Sequence, residues 1–301
     1  MIKVKRSKRK HPIYSCFEDW LGSCKDRGLR LATIETYSDK VQMFMEYVGN
    51  INVEDLTDDF VYDFSYFLKE CRNFNAISTN TYYRCINVFL TYLHEEYDIP
   101  LFHLEYLKET RRIKQIYTDE DIKKLTRQPN LDTVSYSELR TWLATLIALN
   151  TGSRASSICS IRKEDIDLKN RTILFRHAKN GKEYRMYVPR HVVDAIKLYL
   201  DVVDIEDYMF LNRDGGQLNS RQLGSSFRKY CKNRNVKTSS SIHVCRHWFA
   251  SKLLLETKNA HLVSKALCHA NLQTTEKYLS SLGLDTYSKT LESIDLTKSI
   301  R

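Results

Sequence analysis

A chain of 301 residues exceeds one ordinary domain and is expected to hold two packed cores. Apolar residues at 42% and charged residues at 28% exclude a disordered or membrane-embedded chain, and a formal charge of +10 favours a polyanionic partner, nucleic acid first. Only nine Gly and four Pro punctuate the sequence, so long helices are expected to dominate over short strands.

The start, MIKVKRSKRKHP, puts Lys3, Lys5, Arg6, Lys8, Arg9 and Lys10 in a run without an acid. It reads as an extended, solvated arm over 1–12 that touches a phosphate backbone or solubilises the chain. No apolar run follows it as in a secretion signal, and the longest apolar stretch, Trp142 to Leu149 around Thr145, cannot span a bilayer. Eight cysteines stand singly without CxxC spacing, which predicts reduced thiols and a cytoplasmic protein.

From about His11 to Leu107 the pattern is helical. Ile34, Tyr37, Val41, Phe44 and Val48 recur at helical steps before a stop at Gly49. Val53 to Leu68 reads as a helix whose acidic start, Glu54, Asp55, Asp58 and Asp59, suits the positive end of its dipole. Tyr82, Ile86, Phe89, Leu93 and Tyr97 give the next apolar face, with Ser78 as N-cap and Pro100 as terminator. The result is a small helical bundle over 13–107. The polar stretch 108–117 reads as a linker, and Thr118 with Asp119, Glu120 and Asp121 opens a second domain over 118–301.

In that second domain, helices are expected near 119–127 and 136–151, then a turn at Thr151-Gly152 and a further helix from Arg154. Thr172 to His177 and Tyr184 to Val188 read as strands joined at Asn180-Gly181, a type I′ turn signal. After Pro189, helices are expected near 190–203, 219–234, 243–256, 260–267 and 271–280, with a turn at Gly215-Gly216. The fold class is mainly α with a small β-hairpin or sheet (α+β).

Arg154 stands at a helix start, Lys179 just before the hairpin turn, and His243 and Arg246 three apart on one helical face; His269 and Tyr278 follow. Planar guanidinium groups grip phosphate oxygens and stabilise charge that grows in a transition state, so this set suits phosphoryl transfer on DNA.

Four segments in order, TGSRASSICSIRKEDID, HAKNGKEYRMYVP, HVCRHWFAS and ALCHANLQTTEKYL, resemble the boxes of the tyrosine site-specific recombinases, the phage and transposon integrases and Xer resolvases. The resemblance covers nearly the whole chain. It implies an N-terminal core-binding bundle of SAM-like type and a C-terminal catalytic domain. Arg154 and Arg246 would clamp the scissile phosphate, and His243 and His269 would bind it or manage the tyrosine proton. Lys179 would protonate the leaving 5′ oxygen, with Lys182 as the alternative acid, and Tyr278 would form a 3′-phosphotyrosyl bond. Integration or excision of a mobile element is the role preferred, with a Xer-like resolvase or DNA invertase as the alternative.

The same resemblance implies no cofactor, no metal and no ATP, because the phosphotyrosyl bond retains the energy of the bond broken. Its partners would be duplex DNA with inverted half-sites and three further copies in a synaptic tetramer, with an accessory bending or directionality factor left open. No membrane partner is expected, and a nucleoid-associated location in a bacterial or phage-derived setting is. The tail 282–301, with Leu282, Leu284, Tyr287, Leu291, Ile294 and Leu296, packs either on a neighbouring subunit or within the chain.

Two positions depart from the family pattern: Ser157, where an acid is common three residues after the first arginine, and Cys268, where a glycine commonly precedes the final histidine. Trp248 also replaces a common small polar residue. The competing readings are a type IB topoisomerase, a non-catalytic DNA-binding relic, arginines that merely pair with Asp165 or Asp167, and a zinc site at His243, Cys245, His247, Cys268 and His269.

Overall fold

The computed structural model describes residues 10–109, 116–176 and 183–268. The chain divides into two compact units, Met1–Arg112 and Ile113–Arg301.

In the first unit, α1 (Ile13–Asp26), α2 (Leu31–Val48), α3 (Asp58–Tyr66) and α4 (Ala76–Tyr97) pack as a bundle, with α2 against α1, α3 and α4. The apolar stripes read from the sequence point inward. Val41, Phe44, Ile86, Phe89 and Leu93 are fully buried, and Trp20 stacks on Tyr37 at 5.4 Å.

Three local expectations change. Residues 53–68 are not one helix: a 3₁₀ turn at Val53–Asp55 breaks at Leu56, α3 begins after Thr57, and Phe67–Cys71 widens into a π turn. Of the acids expected at the helix start, Asp58 and Asp59 do stand in the first turn of α3, whereas Glu54 and Asp55 have side-chain partners. Glu54 accepts from the ring of His11 at 2.6 Å and Asp55 pairs with Lys10 at 3.2 Å. Lys10, counted with the solvated arm, is therefore anchored to the bundle. The cap of α4 is Asn75, whose side chain accepts from the Ser78 amide at 2.9 Å, so Ser78 is the donor within the cap and not the cap itself.

Past Tyr97 the chain leaves the helical state, ahead of the expected terminator Pro100, and two buried asparagines seven apart on α4 hold it. Asn87 donates to the Leu104 carbonyl at 2.9 Å and accepts its amide at 2.9 Å. Asn80 does the same for Leu107, at 2.9 and 2.8 Å. Each carboxamide thereby satisfies both polar groups of an irregular backbone residue that would otherwise be buried at a cost.

The second unit runs α5 (Asp119–Thr126), α6 (Tyr136–Thr151), α7 (Ala155–Cys159), β1 (Ile166–Asp167), β2 (Thr172–Phe175), β3 (Tyr184–Tyr187), α8 (Arg190–Val202), α9 (Ser220–Asn233), α10 (His243–Thr257) and α11 (Ala260–Ala266). Helix α6 is buried nearly all round, Arg140, Thr141, Thr145 and Thr151 included, because α5, α7, α8, α9 and α10 surround it. The antiparallel sheet is ordered β1-β2-β3, with Ile173 opposite both Ile166 and Met186, and Phe175 opposite Tyr184. The two-residue β1, too short to leave a periodic trace, was not expected from the sequence. The expected hairpin strands were.

Thr118 and Asp121 form the capping box of α5, and Asp121 also accepts from the Thr238 hydroxyl in the approach to α10. Burial alone would push the Asp121 carboxyl up, but the Thr238 hydroxyl and the Thr118 amide and hydroxyl hold it below the usual carboxylate range. A lowered native pKa means that the ionised form stabilises the fold above the ordinary carboxylate pKa, and that this is lost as pH falls through the native value. Asp121→Ala should therefore cost about 2 kcal/mol near neutrality. The gap to wild type in urea unfolding should close progressively in acid, and a gap that persists unchanged there would refute the assignment.

Candidate active site

Helix α6 ends at Gly152, which takes the left-handed conformation at φ 63° and donates its amide to the Ala148 carbonyl at 2.9 Å. The chain then turns through Ser153 into Arg154, the N-cap residue of α7, which is half-buried. The Thr151 hydroxyl braces this turn. It donates to the Ile147 carbonyl at 2.7 Å, lies 2.9 Å from the Ser153 hydroxyl and accepts the Ser153 amide at 3.3 Å.

Opposite the turn, α10 carries His243 exposed at its first residue and Arg246 one turn later, only 3% exposed. Arg246 donates to the Gly152 carbonyl at 2.7 Å and to the Leu267 carbonyl at 2.8 Å. One planar guanidinium thus joins the end of α6 to the end of α11, a bridge that a flexible ammonium could not make with the same geometry. His243 and His247 meet edge to face at 4.8 Å, so His247 is a neighbour of the predicted site that its i, i+4 spacing could have suggested.

Cys268 follows Leu267 with φ 50°, in the left-handed region. A glycine would sit there without strain, which explains the glycine of the family pattern, and here the side chain is carried at a cost of about 1 kcal/mol. Burial pushes the Cys268 thiol up, while the charges of Arg246 and Arg154 both pull it down.

The other departure, Ser157, is 1% exposed and lies behind Arg154. Tyr184 from β3 reaches this region, with its hydroxyl 3.3 Å from that of Ser153. No motif in the sequence marks Tyr184, which reads only as a strand aromatic.

Pairing of Arg154 with the nearby acids gives way, and Cys245 drops out of the candidate zinc ligands. Asp165 is occupied by the Arg176 guanidinium at 2.6 Å and the Arg162 amide at 2.9 Å, and Asp167 by the Asn170 amide at 2.8 Å. Neither pairs with Arg154, which has no carboxylate partner among the described residues. Cys245 is fully buried on a different side of α10 from exposed His243, and burial pushes its thiol up, away from the thiolate that zinc binds. Lys179, its alternative Lys182, His269, Tyr278, the Asn180-Gly181 turn, the helix expected near 271–280 and the tail 282–301 lie outside the described residues. The structure thus brings Arg154, His243 and Arg246 into one region, and no helix among the described residues is long and apolar enough to cross a membrane.

The phage integrase family matches residues 115–283, and the phage integrase SAM-like domain matches residues 14–98. The tyrosine recombinase XerA of Thermococcus kodakarensis is 26% identical over 251 residues, covering 82% of this chain and 83% of its own. Among solved structures, the Tn1549 transposon integrase with a circular intermediate DNA has a TM-score of 0.73 at 16% identity, covering 95% of this chain and 100% of that one. A lambda integrase tetramer bound to a Holliday junction has a TM-score of 0.73 at 15% identity, covering 90% of this chain and 78% of that one. These two likenesses speak for the fold, the helical unit followed by the recombinase unit. With its match extending over more than half of the sequence, the chain belongs to the phage integrase family, the tyrosine recombinases, DNA strand transferases of site-specific recombination.

Proposed function

We propose that the chain recombines DNA through a 3′-phosphotyrosyl bond at Tyr278, without ATP or metal. The observation that supports this reading is the hold of buried Arg246 on the Gly152 carbonyl, two residues before Arg154, and on the Leu267 carbonyl. Two arginines, one carried by this turn and one fastened to it, suit the non-bridging oxygens of one phosphate and stabilise the charge of its pentavalent transition state. The Tyr278 oxygen attacks phosphorus, the 5′ oxygen departs with a proton from Lys179, and His243 and His269 bind the phosphate or receive the phenol proton. Religation is the reverse step, with a 5′ hydroxyl displacing Tyr278. One phosphoester is exchanged for another, so no nucleotide is hydrolysed.

On this reading the 13–107 unit grips the core site, the 118–301 unit cuts it, and the basic arm adds phosphate contacts. The substrate is duplex DNA with inverted half-sites, and four copies assemble the synapse, as in the lambda integrase tetramer. Integration or excision of a mobile element is the role we favour. Likeness to XerA makes Xer-like resolution the second reading, and repeated half-sites beside the gene would mark the first.

A nicked suicide duplex carrying the cognate site tests the chemistry. We expect a covalent complex that survives denaturation and EDTA, and whose peptide map puts the nucleotide on Tyr278. Failure to trap any adduct on a duplex that the protein binds specifically would favour a DNA-binding relic.

A further inference from the structure

Ser153 and Ser157 stand four apart, on either side of Arg154 in sequence, and are 4% and 1% exposed. The Tyr184 hydroxyl donates to Ser153 Oγ at 3.3 Å. Its ring stacks on Phe175, its cross-strand partner, with centroids 5.0 Å apart and planes 14° apart, so the sheet fixes where the hydroxyl ends. From Ser153 the contacts continue to the Thr151 hydroxyl and on to the Ile147 carbonyl of α6. A line of uncharged hydroxyls therefore runs from the sheet to α6 behind the arginine, where the described residues offer it no carboxylate.

Burial pushes the Tyr184 phenol up, against the opposing pull of the two serines and Arg246, so it remains a neutral donor at physiological pH. A neutral support fixes the turn without a counter-ion to compete with a phosphate for the guanidinium.

We propose that Tyr184 is a positioning residue: its hydroxyl, through Ser153, sets the turn that presents Arg154 to the scissile phosphate. This rests on the reading of Arg154 as a phosphate ligand.

Tyr184→Phe keeps the ring stack and deletes only the hydroxyl. On the suicide duplex that traps the wild-type protein, single-turnover adduct formation should slow about three- to tenfold. Affinity for the same duplex by gel shift should stay within about twofold, since a support for the transition state need not support binding. Ser153→Ala should slow the reaction to a similar degree, and the double variant should be no slower than the worse single one, because both remove the contact between Tyr184 and Ser153. Wild-type cleavage rates in Tyr184→Phe, equal losses of rate and affinity, or additive losses in the double variant would overturn the proposal alone. A wild-type protein that binds the duplex and traps no adduct would overturn the functional reading and this proposal with it. If the phenylalanine variant fails to fold, Ser153→Ala, which adds no bulk, decides by the same criteria.

Discussion

Arg246→Lys is expected to slow covalent adduct formation by about a thousandfold while leaving a positive charge at the position. Shape, more than charge, sets this loss. Arg246 reaches the Gly152 and Leu267 carbonyls at 2.7 and 2.8 Å from two nitrogens of one plane, at a site 3% exposed. A lysine has one nitrogen on a flexible stem and cannot reproduce both contacts while also facing a phosphate. At least one buried carbonyl then loses its donor, and the turn carrying Arg154 is released from the end of α11. Unfolding free energy should fall by about 2 to 3 kcal/mol, and the loss of rate should exceed what that instability explains. Single-turnover trapping and urea unfolding on the same preparations separate the two effects. A lysine variant within tenfold of the wild-type rate would show that charge alone suffices and would remove the fork from the mechanism.

Gly152→Ala should be nearly as damaging from one added methyl group. Gly152 has φ 63°, where an L side chain is strained, and a Cβ there would overlap Phe249 Cδ1 and lie 2.7 Å from Leu267 Cδ2. Phe249 belongs to α10 and Leu267 ends α11, the same elements that Arg246 ties to the turn. The methyl group must therefore push the turn away from its partners or force both side chains to move. We expect about 2 to 4 kcal/mol of destabilisation, the sum of backbone strain and overpacking. Adduct formation should drop about a hundredfold in the protein that still folds, because a displacement of 1 Å at a reacting centre has that order of effect. A folded alanine variant with wild-type stability would refute the close approach.

These effects mark the border between what the sequence discloses and what it does not. Helical stripes such as Val41-Phe44-Val48 and Ile86-Phe89-Leu93 are legible because burial of one helix face imposes a period. His243 and Arg246 are legible because three residues return to that face. Asn80 and Asn87 share a face as well, yet their purpose depends on a segment some twenty residues later that has no pattern of its own. The broken helix at Leu56 was hidden because Glu54 and Asp55, plausible dipole partners, are bound instead to His11 and Lys10. Ser157 and Cys268 looked like defects in a motif. In three dimensions, one is packed away from solvent and the other holds a left-handed backbone, facts that depend on distant packing or on a dihedral angle.

The bridge made by Arg246 also bears on how such a site can drift. Its acceptors are main-chain oxygens, which every residue supplies, so the contact constrains the course of the chain and leaves the identity of the acceptor residue open. At Leu267, exchange for another apolar residue of similar volume conserves the bond; at Gly152, backbone angle and crowding forbid almost any exchange. Two anchors of one side chain thus evolve under opposite rules, one nearly silent to substitution and the other nearly intolerant of it.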